Sequence, residues 1–128
     1  MQSIHFTSQD ASILYAVPKP PADLCTIVRY HTFVNRCAPP SLDELQGCLD
    51  RAFAAGVLSC KRKKIVVEQP WYDRIHAADA SADNEIESML EFEEWLTAQE
   101  FAQVSDERFE ITPAEYASIC GQERSDVT

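Results

Sequence analysis

Residues 41–56, SLDELQGCLDRAFAAG, admit one local structure. Ser41 stands three residues before Glu44, the spacing of a capping box. In that box the hydroxyl accepts from the Glu44 amide and the carboxylate reaches back to the Ser41 amide. Leu42, Leu45, Leu49, Ala52 and Phe53 then recur at helical spacing as one apolar stripe. Gly56 follows where a left-handed residue ends a helix. Whatever this chain folds into must lay that stripe on a core.

The flanking segments are read against this helix. Residues 57–60 (VLSC) and 64–69 (KIVVEQ) are rich in apolar and β-branched residues and predict two strands. Lys61, Arg62, Lys63 and Lys64 lie between and across them as a hairpin tip. Upstream, residues 3–7 are a short strand or a loose end. Ser8 is the expected N-cap of a helix over QDASILYAV, which Pro18 ends. A second helix over 22–36 has Leu24, Ile27, Val28 and His31 in phase, with Asp23 as cap or first-turn acid, and breaks at Pro39 and Pro40. Downstream, Pro70 suits the first turn of a short helix. A longer helix spans 84–101, where Ile86, Met89, Leu90, Phe92 and Leu96 cover a wide apolar arc with Trp95 at its edge. RFEIT, 108–112, is a strand candidate. Thr112 and Pro113 open a last helix, and 121–128 form a frayed tail.

Three helices followed by a hairpin, carried by PPSLDELQGCLDRAFAAGVLSCKRKKIVVEQ, resemble the winged helix-turn-helix superfamily over residues 10–69. The resemblance implies an α+β, mainly α fold. It would have a winged-helix-like three-helix core, a β-hairpin wing and a C-terminal helical extension at 70–120, all in one domain over 1–128. It also implies that the third helix enters a DNA major groove and that the extension supports a homodimer.

Charge argues against that use. The 128 residues carry a net charge of −10, which opposes association with nucleic acid or an anionic membrane. The outward positions expected on the third helix are Asp43, Glu44, Gln46, Asp50 and Arg51, mostly acidic. Residues 79–107 hold ten Asp or Glu and no Lys or Arg. The basic tip then reads first as a solvated turn whose lysines discourage edge-to-edge pairing.

No motif carries chemistry. The three glycines are dispersed, so no phosphate loop forms. His5, His31 and His76 lie far apart, and the five cysteines show no C-x-x-C spacing. No cofactor, metal or enzymatic activity is expected. The first ten residues do not read as a signal peptide, and no apolar run approaches the ~20 residues of a membrane span. A bacterial, cytoplasmic protein is the expectation.

What remains is surface. Trp71 and Tyr72 follow the second strand beside Pro70, and Trp95 stands among Glu91, Glu93, Glu94 and Glu100, aromatic anchors within a charged rim as in protein interfaces. The competing reading packs Trp71 against Trp95. The function expected is a non-catalytic acidic protein-binding module for a basic protein partner, in its sharpest form an immunity protein or antitoxin covering a basic toxin. Its partner-binding residues would be Trp71, Tyr72, Glu91, Glu94 and Trp95. The alternative is a winged-helix DNA-binding transcriptional regulator contacting nucleic acid through Lys61, Arg62, Lys63 and Lys64.

Overall fold

The computed structural model describes residues 3–35, 40–77 and 84–119. The expected break at Pro39, the tail at 121–128, Cys37 and Cys120 lie outside the described residues. The chain runs β1 (Ser3–Ile4), α1 (Ser8–Tyr15), α2 (Leu24–Asn35), α3 (Leu42–Ala54), β2 (Leu58–Lys61), β3 (Lys64–Val67), α4 (Gln69–Ile75), α5 (Glu85–Thr97) and β4 (Phe101–Ala102). Residues 113–119 are helical again. The architecture is α+β and mainly helical, with two small antiparallel sheets.

α1 sits at the centre, packed against α2, α3 and α5. Ala11, Ile13, Leu14 and Tyr15 are buried, so this short helix is apolar on most of its circumference. Its cap is Thr7, not Ser8. Thr7 Oγ1 accepts from the Asp10 amide at 3.2 Å, and Asp10 Oδ2 accepts from the Thr7 amide at 2.9 Å. The reciprocal pair needs an acid three residues on, which Thr7 has and Ser8 lacks. Asp10 is buried, and it also pairs with Arg51 across to α3, at 2.6 Å to Nε and 2.7 Å to Nη2.

α3 begins and ends as its sequence predicts. Ser41 Oγ accepts from the Glu44 amide at 3.1 Å, and Glu44 Oε1 accepts from the Ser41 amide at 3.3 Å. At the other end the Val57 amide donates to Ala52 O and the Gly56 amide to Phe53 O, a Schellman closure with Gly56 at φ 79°. α2 is capped by Asp23, whose Oδ1 accepts from the Thr26 amide at 2.8 Å.

β2 and β3 pair from Leu58↔Val67 to Lys61↔Lys64, leaving Arg62 and Lys63 as a two-residue turn. Both turn residues have positive φ, the sign pattern of a type I′ hairpin. On its other edge β3 pairs with Ala22, through Ala22 N to Ile65 O at 3.0 Å and Ile65 N to Ala22 O at 2.7 Å.

The C-terminal third departs most from expectation. The helix expected over 84–101 ends at Thr97, and Phe101–Ala102 instead pair with Ser3–Ile4. Residues 108–112 form no strand. The chain from 104 to 116 is a strap laid over α3. The Val104 amide donates to Ala54 O at 2.8 Å, and the Tyr116 hydroxyl donates to Pro40 O at 2.6 Å. Gln46 takes the place of a neighbouring strand: its amide donates to Phe109 O at 2.9 Å and accepts from the Ile111 amide at 2.7 Å. Among the described residues no helix is long and apolar enough to cross a membrane.

Candidate protein-interaction surface

Asn84 starts α5 by accepting from the Glu87 amide at 2.9 Å. Ser88, Phe92 and Leu96 face the interior, with Met89 and Trp95 half-buried beside them. At 100° per residue this leaves two outward strips. Glu87, Glu91 and Glu94 make one, and all are exposed. Ile86 and Leu90 make the other, 65% and 50% exposed. The sequence predicts a single apolar arc of Ile86, Met89, Leu90, Phe92 and Leu96 with Trp95 at its edge. The helix buries only the centre of that arc, because α1 and α4 approach it from one side.

Beyond its first turn, the acidic strip works against the helix that carries it. Glu87 and Glu91 are four residues apart, Glu91 and Glu94 three, and like charges at these spacings repel. The last turn of α5 has no basic residue to complement the negative end of the helix dipole. Local stability does not account for Glu91 and Glu94, whereas Glu87 stands in the first turn, where a negative charge suits the helix dipole.

The aromatic residues gather elsewhere. Trp71 and Trp95 meet edge-on with ring centroids 6.0 Å apart, and Phe101 packs on both, at 5.2 and 5.9 Å. Phe6 joins from the other side of Phe101 at 5.5 Å. The cluster therefore ties α4, α5 and the β1–β4 pair together. The Arg74 guanidinium lies 4.2 Å over the Trp95 ring, and Lys19 lies 5.8 Å over Tyr72. The cations nearest these aromatics come from the chain itself. The packing of Trp71 on Trp95, one of the two arrangements expected, is the one found.

Lys61, Arg62, Lys63 and Lys64 are all exposed at the far end of the hairpin. Glu107 reaches the same hairpin, with Oε1 accepting from the Cys60 amide at 2.8 Å. The α3 residues expected to face outward are largely engaged. Arg51 folds back onto Asp10, Gln46 holds the strap, and Asp50 lies 3.6 Å from Arg108. Arg51 and Gln46, expected to face outward, are instead held by other parts of the chain. Their partners are 41 and 63 residues away, beyond any local pattern.

A groove of about 480 Å³ opens between β1, α3 and the strap, lined by His5, Asp50, Arg51, Asp106, Glu107 and Arg108 among others. Its charges are mixed, and Arg51, Asp50, Glu107 and Arg108 already engage other groups of the chain. Cys48 is buried, and burial pushes its thiol well above the usual range, away from the reactive thiolate. Among the described residues no group of three His, Cys, Asp or Glu could hold a metal ion. The chain matches no family model, no curated protein and no solved structure.

Proposed function

We propose that this chain is a non-catalytic acidic protein-binding module on a winged-helix-like scaffold, and that α5 presents its binding face to a basic partner protein. The observation that carries the reading is the exposed strip Glu87, Glu91 and Glu94, set in a segment without Lys or Arg from 79 to 107. Complementary charge speeds encounter and selects the partner. An immunity protein or antitoxin covering a basic toxin is the form that best suits a small, strongly acidic chain. The scaffold reading draws support from the order α1, Ala22, α2, α3, β2, β3, in which Ala22 pairs with β3 beside the hairpin.

The test is kinetic. A partner captured on the wild-type chain is measured against a variant carrying Glu91→Lys, Glu93→Lys and Glu94→Lys. The expected result is an association rate lower by about tenfold or more at low salt, with a shallower dependence on ionic strength. An unchanged affinity at low salt refutes the reading.

A second reading, a DNA-binding regulator acting through the wing, is favoured by one observation. Arg62 and Lys63 occupy positive-φ positions that suit Asn-Gly far better, so two basic charges stand at the tip at a conformational cost. Against it, the strap is bound to Gln46 and Ala54 of α3, on the side that would face a groove, and the exposed α3 residues Asp43 and Glu44 are acidic. Fluorescence anisotropy with a labelled random duplex at about 50 mM salt separates the two. Binding that collapses as salt rises, and fails when Lys61, Arg62, Lys63 and Lys64 become alanine, would favour the regulator. No binding at that salt removes it.

A further inference from the structure

We propose that α5 docks a basic amphipathic helix, which seats apolar side chains on Ile86 and Leu90 and sets Lys or Arg residues along Glu87, Glu91 and Glu94. The proposal rests on the protein-binding reading above and adds to it the apolar anchor and the shape of the occupant.

The argument starts from where Ile86 and Leu90 stand. They are four residues apart and so lie one above the other on the helix surface. Their side chains are 65% and 50% exposed, although every other large apolar residue of α5 is buried or half-buried. Met89 adjoins them, half-buried, and its flexible thioether suits an adaptable contact. The apolar strip is therefore just over one turn long and one side chain wide. That is the footprint of a helix presenting residues at i and i+3 or i+4, the usual reading pattern of a docked amphipathic helix.

The carboxylates fix the chemistry of the occupant. Glu87, Glu91 and Glu94 run parallel to the apolar strip on one flank, at steps of four and three. A partner helix matching both strips carries its basic residues along one side of its apolar face. A second copy of this chain is a poor occupant. A two-fold contact pairs a face without Lys or Arg with itself, so the glutamates meet no cation, and the antiparallel arrangement sets three against three. Nucleic acid and anionic lipid are repelled by the same charges.

The test uses a defined probe. A fluorescein-labelled synthetic helix of leucine and lysine, about 18 residues or five turns long, is compared with an isomer of identical composition whose residues are reordered to abolish the apolar face. Anisotropy is recorded with the wild-type chain, with Ile86→Gln/Leu90→Gln and with Glu91→Gln/Glu94→Gln. All four substitutions are at exposed positions, and circular dichroism checks that each variant folds. The amphipathic peptide is expected to bind at least about tenfold more tightly than its isomer. The Ile86→Gln/Leu90→Gln variant is expected to lose about tenfold in affinity, a difference of about 1.4 kcal/mol. Equal binding of both peptides, insensitive to Ile86 and Leu90 but weakened by Glu91→Gln/Glu94→Gln, overturns the apolar anchor and leaves the charge-based reading standing. Failure of the amphipathic peptide to bind the wild-type chain overturns the docking proposal, and the charge-based reading is then judged by its own association kinetics. A wild-type dimer in sedimentation that Ile86→Gln/Leu90→Gln dissociates would make a second copy the occupant, and overturns the proposal too.

Discussion

Asp10 shows how one side chain can hold a small fold together. Its side chain is 1% exposed, it closes the cap of α1, and it takes two hydrogen bonds from Arg51 of α3. Arg51→Met would leave a buried carboxylate without its counter-charge, which costs about 3 kcal/mol. Urea unfolding should show that loss, and should show a much smaller one in an Asp10→Asn background. His31 tests a different residue-scale effect. It is buried beside Ser12, and burial pushes its imidazole below the ordinary value of 6.5, with the Glu44 charge opposing. The folded chain therefore keeps His31 neutral where the unfolded chain accepts a proton. This contribution to stability is complete above pH 6.5 and declines as pH falls from there through the lower folded value. Thermal unfolding at about pH 5.5 and about pH 7.5 should show this drop, and His31→Gln should shrink it. Neither partnership was legible in the sequence. Arg51 reads as an outward residue of α3, and nothing local to it points to a carboxylate on another helix.

At the scale of elements, legibility followed the range of the interactions. α3 was readable from end to end, because its capping box, stripe and Schellman closure all lie within residues 41–57. The hairpin was readable for the same reason, though the strain in its turn was not. Arg62 and Lys63 both hold left-handed backbone, where residues with a Cβ are disfavoured. Replacing them by Asn and Gly should stabilise the chain by about 1 kcal/mol, measured by chemical denaturation. Were the protein less stable after that change, the two charges would be structural. Gly56, also left-handed, has no such freedom: a Cβ there would meet Val104 Cγ2 at 2.8 Å. β4 and the strap are not legible in the sequence, because a two-residue strand has too few residues to show alternation. The strap's pairing partner is moreover a glutamine side chain rather than another strand.

For the whole molecule the governing quantity is the charge of −10 on 128 residues. Self-repulsion opposes the folded state, and salt relieves it. Raising ionic strength from about 20 to about 300 mM should therefore raise the thermal midpoint, by roughly 4 °C if the relief is worth about 1 kcal/mol. A flat or falling midpoint would mean that ion pairs such as Asp10–Arg51 outweigh the repulsion. The charge is also unevenly spread. α5 carries its strip of glutamates on one flank, while the hairpin tip carries four basic residues at another extremity.

By itself the sequence determined the class of fold, the three helices before the hairpin, the hairpin with its basic tip, and the acidity of residues 79–107. Each of these depends on neighbours within a few turns of chain, where periodicity, caps and turn residues act. Tertiary structure alone decided which face of α5 stays in water. It also decided that Trp71 and Trp95 pack together around Phe101, and that Gln46 of α3 holds a strap. Those outcomes depend on which elements approach one another, and burial is a property of the pair that meets rather than of either sequence. The apolar arc of α5 was wider than the contact available to it, so the packing of α1 and α4 left Ile86 and Leu90 outside.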